Sequence, residues 1–308
     1  KFDTGCSLTV NGTLDAHGTR AAPIVFTSLK DDAHGGDTNA DGEKTRAAGG
    51  DWRYIYVSGT ANLKYCKAMY GAPSNETGIL ETTGSGVLNM DCCYVAHALY
   101  DGIWNWGGSI SVKNTIITDT GWATAPYRGS KNEYINCVIV GNNVGLCYWS
   151  GWSGAPVYRN CVFAECGNGW CELASGSYGD PPSGTMVANC CFWNPDGYRL
   201  QSTALDGKNG NIWGDPKFVD PENGDFRIQK GSPCVNAGDA ANAPEFDYYG
   251  QPRDDGAPDI GIYEVPGAAN VPLPDLAVWR AAILAATIQG SGALGERALP
   301  QGRFDGMD

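Results

Sequence analysis

The sequence predicts an all-β chain wound as a parallel β-helix and followed by one short α-helix, and three observations carry that prediction. A corner of the Asn-Cys type returns every 22 to 29 residues. Around each corner, apolar residues sit at spacings that no single straight strand brings to one face. After each corner a glycine opens a new apolar strand, as in GILET, GIWNW and GLCYW.

The corner comes first. Taking the small residue behind it as a marker gives Cys66, Cys92, Thr115, Cys137, Cys161 and Cys190, preceded by Tyr65, Asp91, Asn114, Asn136, Asn160 and Asn189. Apolar residues stand three positions before most markers (Leu63, Val112, Tyr134, Tyr158, Val187) and two after them (Ala68, Tyr94, Ile117, Ile139, Phe163, Phe192). Side chains alternate with period 2 along a strand, so positions five apart share a face only if the chain bends between them. Asparagine is the residue, after glycine, that most readily adopts the left-handed conformation of such a bend. The strands that follow open at Gly78, Gly102, Gly121, Gly145, Gly169 and Gly197. Three short strands per repeat define a coil that cannot bury its inner face alone and is stabilised by stacking on the next.

These repeats, together with GTLDAHGTRAAPIVFTSLKDD near the start and DPKFVDPENGDFRIQKGSPCVNAGD followed by DIGIYE, resemble the secreted bacterial right-handed β-helix proteins, the broad pectate-lyase-like group of polysaccharide enzymes and surface proteins. The resemblance covers residues 6 to 264. It implies a solenoid with the DPKFVDP segment as a closing coil, and an extracellular or cell-surface location. One scaffold of this kind hosts many activities, so it does not choose among them. The expected organisation is a β-helix over 1–264 with an insertion at 28–51, then 265–308 as linker, amphipathic helix and tail. The helix reading rests on Asp275 at its start, Leu276, Trp279 and Ile283 on one face, and Gly290 at its stop.

Composition narrows the partners. Of 308 residues, 43 are glycine and only 18% are charged; 34 acidic against 21 basic residues give a net charge of −13. That balance disfavours nucleic acid and anionic membrane surfaces while leaving a neutral polymer open. No apolar run approaches the roughly 20 residues of a membrane span. The opening KFDTGCSLTV already reads as strand, so a leader or cap is expected to have been removed upstream, and the first coil is a candidate for end-to-end contact. Of the twelve cysteines, the corner markers read as small inward residues; Cys147 and Cys171 fall in one column of adjacent coils, near enough for a bridge.

Aligning the glycine-led strands gives columns of candidate ligand contacts. The first is Ile79, Ile103, Trp122, Leu146, Trp170 and Tyr198; the third is Glu81, Asn105, Thr124, Tyr148, Glu172 and Leu200. An unpaired buried carboxylate is costly, so the column with two glutamates is expected outside, and the first column with it. Trp122, Trp170, Tyr198, Tyr148 and Asn105, walled by Trp152, then form an aromatic groove for an oligosaccharide; the bland alternative is solenoid packing. Asp119 and Glu165 occupy one turn position two coils apart, about 9–10 Å by the rung spacing, compatible with the carboxyl pair of an inverting glycosidase. Glu172 and Asp101 are further acidic candidates. Solvated turn carboxylates are the alternative for all of them. A lyase would instead draw on Lys113, Arg159, Arg128, Lys131 or Tyr127, and no catalytic motif selects them.

The insertion holds DTNADGEK, in which Asp37, Asn39 and Asp41 alternate before Gly42, the first half of a calcium loop, with the carbonyl of Glu43 as a fourth ligand. Position 12 is Ala48, so the bidentate glutamate is lacking. Structural Ca²⁺ is expected here, against a merely polar loop. The functional expectation is therefore an extracellular glycan-binding protein, cleaving its ligand by hydrolysis or elimination, with a non-catalytic surface scaffold as the rival.

Overall fold

A computed structural model describes residues 1–129, 131–146, 153–166, 170–173, 184–195, 207–254 and 256–267. The chain is an all-β parallel β-solenoid. Each coil contributes a strand to three sheets. The first sheet stacks Leu8–Val10, Ile55–Val57, Gly78–Thr82, Asp101–Asn105, Trp122–Ala125, Val144–Leu146 and Trp170–Leu173 in that order. The second runs from Thr13–His17 through Thr60–Lys64, Val87–Asp91, Ser109–Lys113, Lys131–Ile135 and Pro156–Arg159 to Met186–Ala188. The third runs from Ile24–Phe26 through Cys66–Met69, Tyr94–Ala96, Ile116–Thr118, Val138–Val140, Val162–Ala164 and Cys191–Trp193 to Ile212–Trp213. Pairing is parallel throughout these sheets, as in Val112 on Tyr134 on Tyr158 on Val187.

The corner between the second and third sheets follows the expected chemistry. Left-handed φ values fall at Tyr65, Cys92, Asn114, Asn136, Asn160 and Asn189. One marker shifts. In Asp91-Cys92-Cys93 it is Cys92 that makes the corner (φ 53°), and Cys93 that takes the inward place between Cys66 and Thr115. The inward thiols bond to the coil before them: Cys66 donates to the Ala16 carbonyl, Cys93 to Leu63, Cys137 to Val112 and Cys161 to Tyr134, at 3.2–3.6 Å. Aromatic rings fill the same axis, with Tyr134 on Tyr158 (4.7 Å, 7°) and Phe163 on Phe192 (5.2 Å, 9°). Cys147 lies outside the described residues.

The glycine-led alignment is out of step by one residue between the strands at Gly78 and Gly102 and by two at each of the next two steps. Gly78 pairs with Asp101, which pairs with Trp122, which pairs with Val144 and through it Trp170. Ile79 and Ile103, expected outside, are fully buried. Glycine does not mark one register because it serves different needs: at 78 a Cβ would strike the backbone of Trp104, while at 121 it would meet Tyr100.

The segment expected as a closing coil is instead a lateral strap. Phe218–Asp220 and Asp225–Ile228 form an antiparallel pair, and the chain then runs to Val265 over the outer face of the third sheet. Phe226, Ile228, Tyr248, Ile260 and Ile262 cover Ile116, Val138 and Val162, so that sheet is buried on both faces. The corner asparagines hold the strap: Asn189 donates to the Ala237 carbonyl (3.3 Å), Asn160 to Asp239 (3.0 Å), Asn136 to Asp259 and Gly261 (both 3.0 Å), and Asn114 to Phe246 (3.0 Å). The helix expected at 275–290 lies outside the described residues.

Candidate functional site

The third sheet ends at a second left-handed corner, and this one is not covered by asparagines. Its column reads Tyr70, His97, Asp119, Gly141 and Glu165, with φ between 48° and 66°, and its rungs are fixed by the pairing of Met69, Ala96, Thr118, Val140 and Ala164 just before it. Asp119 and Glu165 thus stand two rungs apart as expected, about 9–10 Å at 4.8 Å per rung. Between them is a glycine, with no side chain to fill the gap.

Behind the gap the corner is rigid. Asn142 is buried, accepts from the Thr120 backbone (3.1 Å) and hydroxyl (2.8 Å), and donates to the Ile117 and Val140 carbonyls. Asp119 is 53% exposed at its side chain, and its Oδ2 lies 2.6 Å from Nδ1 of His97. The His97 ring stacks on Tyr70 (4.9 Å, 13°), so the imidazole is held by a ring on one side and a carboxylate on the other. Glu165 is also exposed; partial burial and the nearby charges of Asp215 and Glu222 push its carboxyl above the ordinary range. The Glu165 N–H donates to the Trp193 carbonyl (3.0 Å), and Trp193 and Trp213, both half-buried, lie 6.5 Å apart. Half-buried Trp122 opens the next strand, three residues past Asp119. Along the corner the order is therefore Tyr70, His97, Asp119, the Gly141 gap and Glu165; beside Glu165, Trp193 packs against the strap, while Trp213 pairs with the inward Phe192 and packs on the inner core.

The outer face of the first sheet carries a second acid pair of different character. Tyr56, Glu81 and Trp104 share one column. Glu81 accepts from the Gly78 N–H (3.0 Å), and Asp101 lies on the rung directly against Gly78, which brings the two carboxyls together. Both residues are 3% exposed. Burial pushes Glu81 up to about 7; burial, then the charge of Glu81, pushes Asp101 well above its ordinary value. Trp104 is buried under Trp106 and Tyr127 (5.5 and 6.1 Å), with the Arg128 guanidinium over Tyr127 (4.8 Å). These acids are closed to solvent and remain protonated in acid solution, a structural arrangement rather than one that meets a ligand.

The other expected residues divide as follows. Asn105 is buried and spends its amide inside the solenoid, accepting from Thr82 (2.7 Å) and donating to Asn132 (2.6 Å), so it offers nothing to a ligand. Trp170 and Glu172 lie on the strand Trp170–Leu173. Tyr148, Trp152 and Tyr198 lie outside the described residues. Tyr70, Gly141 and Trp193 were missed; their signal was the position three or four residues after each inward marker, once the marker in the Cys92–Cys93 pair is set right.

In the insertion, Asp37 accepts from the Asp41 and Gly42 N–H groups (3.1 and 2.8 Å), making the turn that DTNADG encodes. Ligand oxygens of Asp32, Asp37 and Asp41 converge within 4.8 Å of one another. Asn39 donates to Asp41 Oδ2 (2.9 Å), while Glu43 is exposed. Asp32 was not anticipated, because it stands five residues ahead of the motif.

The fold defines the class: a parallel β-solenoid, here with Asp119 and Glu165 two rungs apart on one corner. No protein-family model matches the chain, and no curated protein matches it. Among the described residues no helix is long and apolar enough to cross a membrane.

Proposed function

We propose that the chain is an extracellular glycan-active protein that holds a polysaccharide along the Tyr70–Glu165 corner and hydrolyses it there with inversion. The observation that carries the reading is the placement of Asp119 and Glu165 on either side of Gly141, with the stacked rings of Tyr70 and His97 at one end of the line and half-buried Trp193 beside the other. The pyranose C–H faces stack on Trp and Tyr rings, and the glycine leaves space for a sugar ring and a water. Glu165, whose carboxyl is raised above the ordinary range, is the acid that donates its proton to the glycosidic oxygen. Asp119 takes a proton from water as its oxygen bonds to the anomeric carbon, and the bond to the leaving sugar breaks. His97 orients the Asp119 carboxylate. The likeness of the repeats to secreted β-helix proteins supports the location.

The test is a panel of neutral and acidic polysaccharides assayed for new reducing ends, for unsaturated product at ~235 nm, and for binding by glycan array. New reducing ends that vanish in Glu165→Gln and Asp119→Asn support the reading. Unsaturated product makes the protein a lyase. Binding without product leaves a carbohydrate-binding scaffold, and neither product nor binding across the panel removes the glycan.

A further inference from the structure

The insertion at 28–51 holds a second site that does not depend on the glycan reading. Three oxygens, Oδ1 of Asp32, Oδ1 of Asn39 and Oδ1 of Asp41, each have less than 1 Å² of exposed surface and no hydrogen-bond partner. A buried acceptor without a donor is costly, and three in one loop of about twenty residues are hard to place without a counter-charge. Asp32 and Asp41 belong to the group whose carboxylates converge with Asp37, and Asn39 is tied to it by its bond to Asp41. Neighbouring polar atoms are committed elsewhere: Asp41 Oδ2 accepts from Asn39 and Thr45, the Asn39 amide donates to Thr45 as well as to Asp41, and Asp37 caps the turn. The three Oδ1 atoms are therefore closed to bulk water and have no protein donor.

We infer that Asp32, Asp37, Asn39 and Asp41 bind a calcium ion, with Asp32 supplying the carboxylate that the loop lacks at its twelfth position. The donor set is all oxygen, three carboxylates and one amide, which suits a hard cation and not zinc or copper. The neighbouring His34 has its Nδ1 on Asp31 (2.8 Å). Three carboxylates leave two negative charges uncompensated beside a monovalent ion and only one beside a divalent ion, which favours the divalent one. A flexible loop with side-chain amide and carboxylate ligands favours Ca²⁺ over Mg²⁺, which demands a near-ideal octahedron and keeps its waters. Glu43 is left out of the side-chain shell.

The ion would brace the wall of the first coils. Just before Asp32, Asp31 accepts from Thr27 (2.5 Å) and bonds to His34; at the far end Asp51 pairs with Lys30 (2.7 Å) and accepts from Ser28 (2.7 Å). Next to Asp51, Trp52 is fully buried, stacked on Phe2 (4.4 Å) and donating to the Met69 carbonyl (2.7 Å). The loop end lies on the turn after His97: a Cβ at Gly49 would fall 2.7 Å from the Leu99 nitrogen. Ordering the loop thus fixes the back of the Tyr70–His97 corner.

The experiment is equilibrium dialysis of the whole chelator-treated chain against ⁴⁵Ca²⁺, with thermal unfolding alongside. One equivalent is expected to bind at about 10⁻⁴ M, the range of calcium sites in extracellular modules, and to raise the Tm. Asp32→Asn and Asp41→Asn should each weaken uptake by about tenfold or more, while Glu43→Gln leaves it unchanged. Equal Tm in chelator for all four proteins shows that the variants fold. No uptake at about 10 mM Ca²⁺ overturns the site, unaltered uptake in Asp32→Asn overturns its ligand set, and equal affinity for Mg²⁺ overturns the choice of ion.

Discussion

The side-chain amide of Asn160 donates to Oδ1 of Asn136 one rung away (3.2 Å) and at the same time to the carbonyl of Asp239 in the strap (3.0 Å). Its own Oδ1 accepts from the Asp239 N–H (2.8 Å). One buried residue thus links two coils to the cover of the third sheet while holding φ at 53°. Asn160→Ala removes all three bonds and puts a Cβ-bearing residue with no compensating hydrogen bonds in the left-handed region. It should cost roughly 2–4 kcal/mol. Asn160→Gly loses the same bonds without the backbone strain and should cost less. Urea unfolding orders the two, and equal losses would show that the corner conformation carries no part of the effect.

A buried ion pair fastens the far end of the strap. Arg253 and Glu264 are 1% and 2% exposed at their side chains and lie 2.8 Å apart. The same guanidinium reaches the Gly261 carbonyl (2.9 Å) and Oδ1 of Asn114 (3.3 Å). Removing one partner leaves the other charge buried and uncompensated, a loss of about 3–5 kcal/mol. Arg253→Ala should therefore loosen the strap before the solenoid. Hydrogen exchange will show it as lost protection at Tyr248 and Ile260, whose N–H groups bond to Ile262 and Cys234, while Val138 and Val162 keep theirs.

Much of this architecture was legible because the solenoid writes its period into the chain. A left-handed corner excludes most residue types, so Asn114, Asn136, Asn160 and Asn189 announce it directly. The inward thiols are legible for the same reason, since little else fits that space. The first sheet was harder. A glycine there answers a local close approach rather than a rung position, so aligning on Gly78, Gly102 and Gly121 shifted Asp101 and Trp122 out of their shared column. The strap could not be read as lateral: its apolar residues fit a closing coil equally well, and only their contact with Val138 and Val162 distinguishes the two. For the candidate site, the two-rung placement of Asp119 and Glu165 was legible by counting from the corner. Asp32 was invisible because a carboxylate folded back on a loop from upstream has no spacing rule.

The Glu81–Asp101 pair predicts that stability falls as pH rises. An unfolded glutamate ionises near 4.5, whereas Glu81 in the fold holds its proton up to about 7. Between those values the native state binds the extra proton, so the contribution is complete below pH 4.5 and is lost progressively on the way to pH 7. The loss from Glu81 alone is at most about 3 kcal/mol; the raised Asp101 acts in the same direction. Glu81→Gln keeps an acceptor for the Gly78 N–H and removes the titration. Its denaturation midpoint should be flatter than the parent's from pH 5 to 8 and higher at pH 8. A parallel pair of curves would mean that Glu81 is ionised in the fold.

The exposed acids of the corner separate activity from stability. Asp119 and Glu165 face solvent, so Asp119→Asn and Glu165→Gln should alter unfolding free energy by no more than about 0.5 kcal/mol. If they are the base and acid of hydrolysis, each should lower kcat by about 10²–10⁴-fold. Glu165 must be protonated to act, and its carboxyl is raised. The rate of the parent should then decline as pH climbs through that raised value, and the decline should be missing from the residual activity of Glu165→Gln. Trp193→Ala removes a ring at the end of the line without touching either carboxyl, so a binding role predicts a higher KM with kcat nearly unchanged. A fall in kcat alone would place Trp193 in the reacting centre and require the gap at Gly141 to be redrawn.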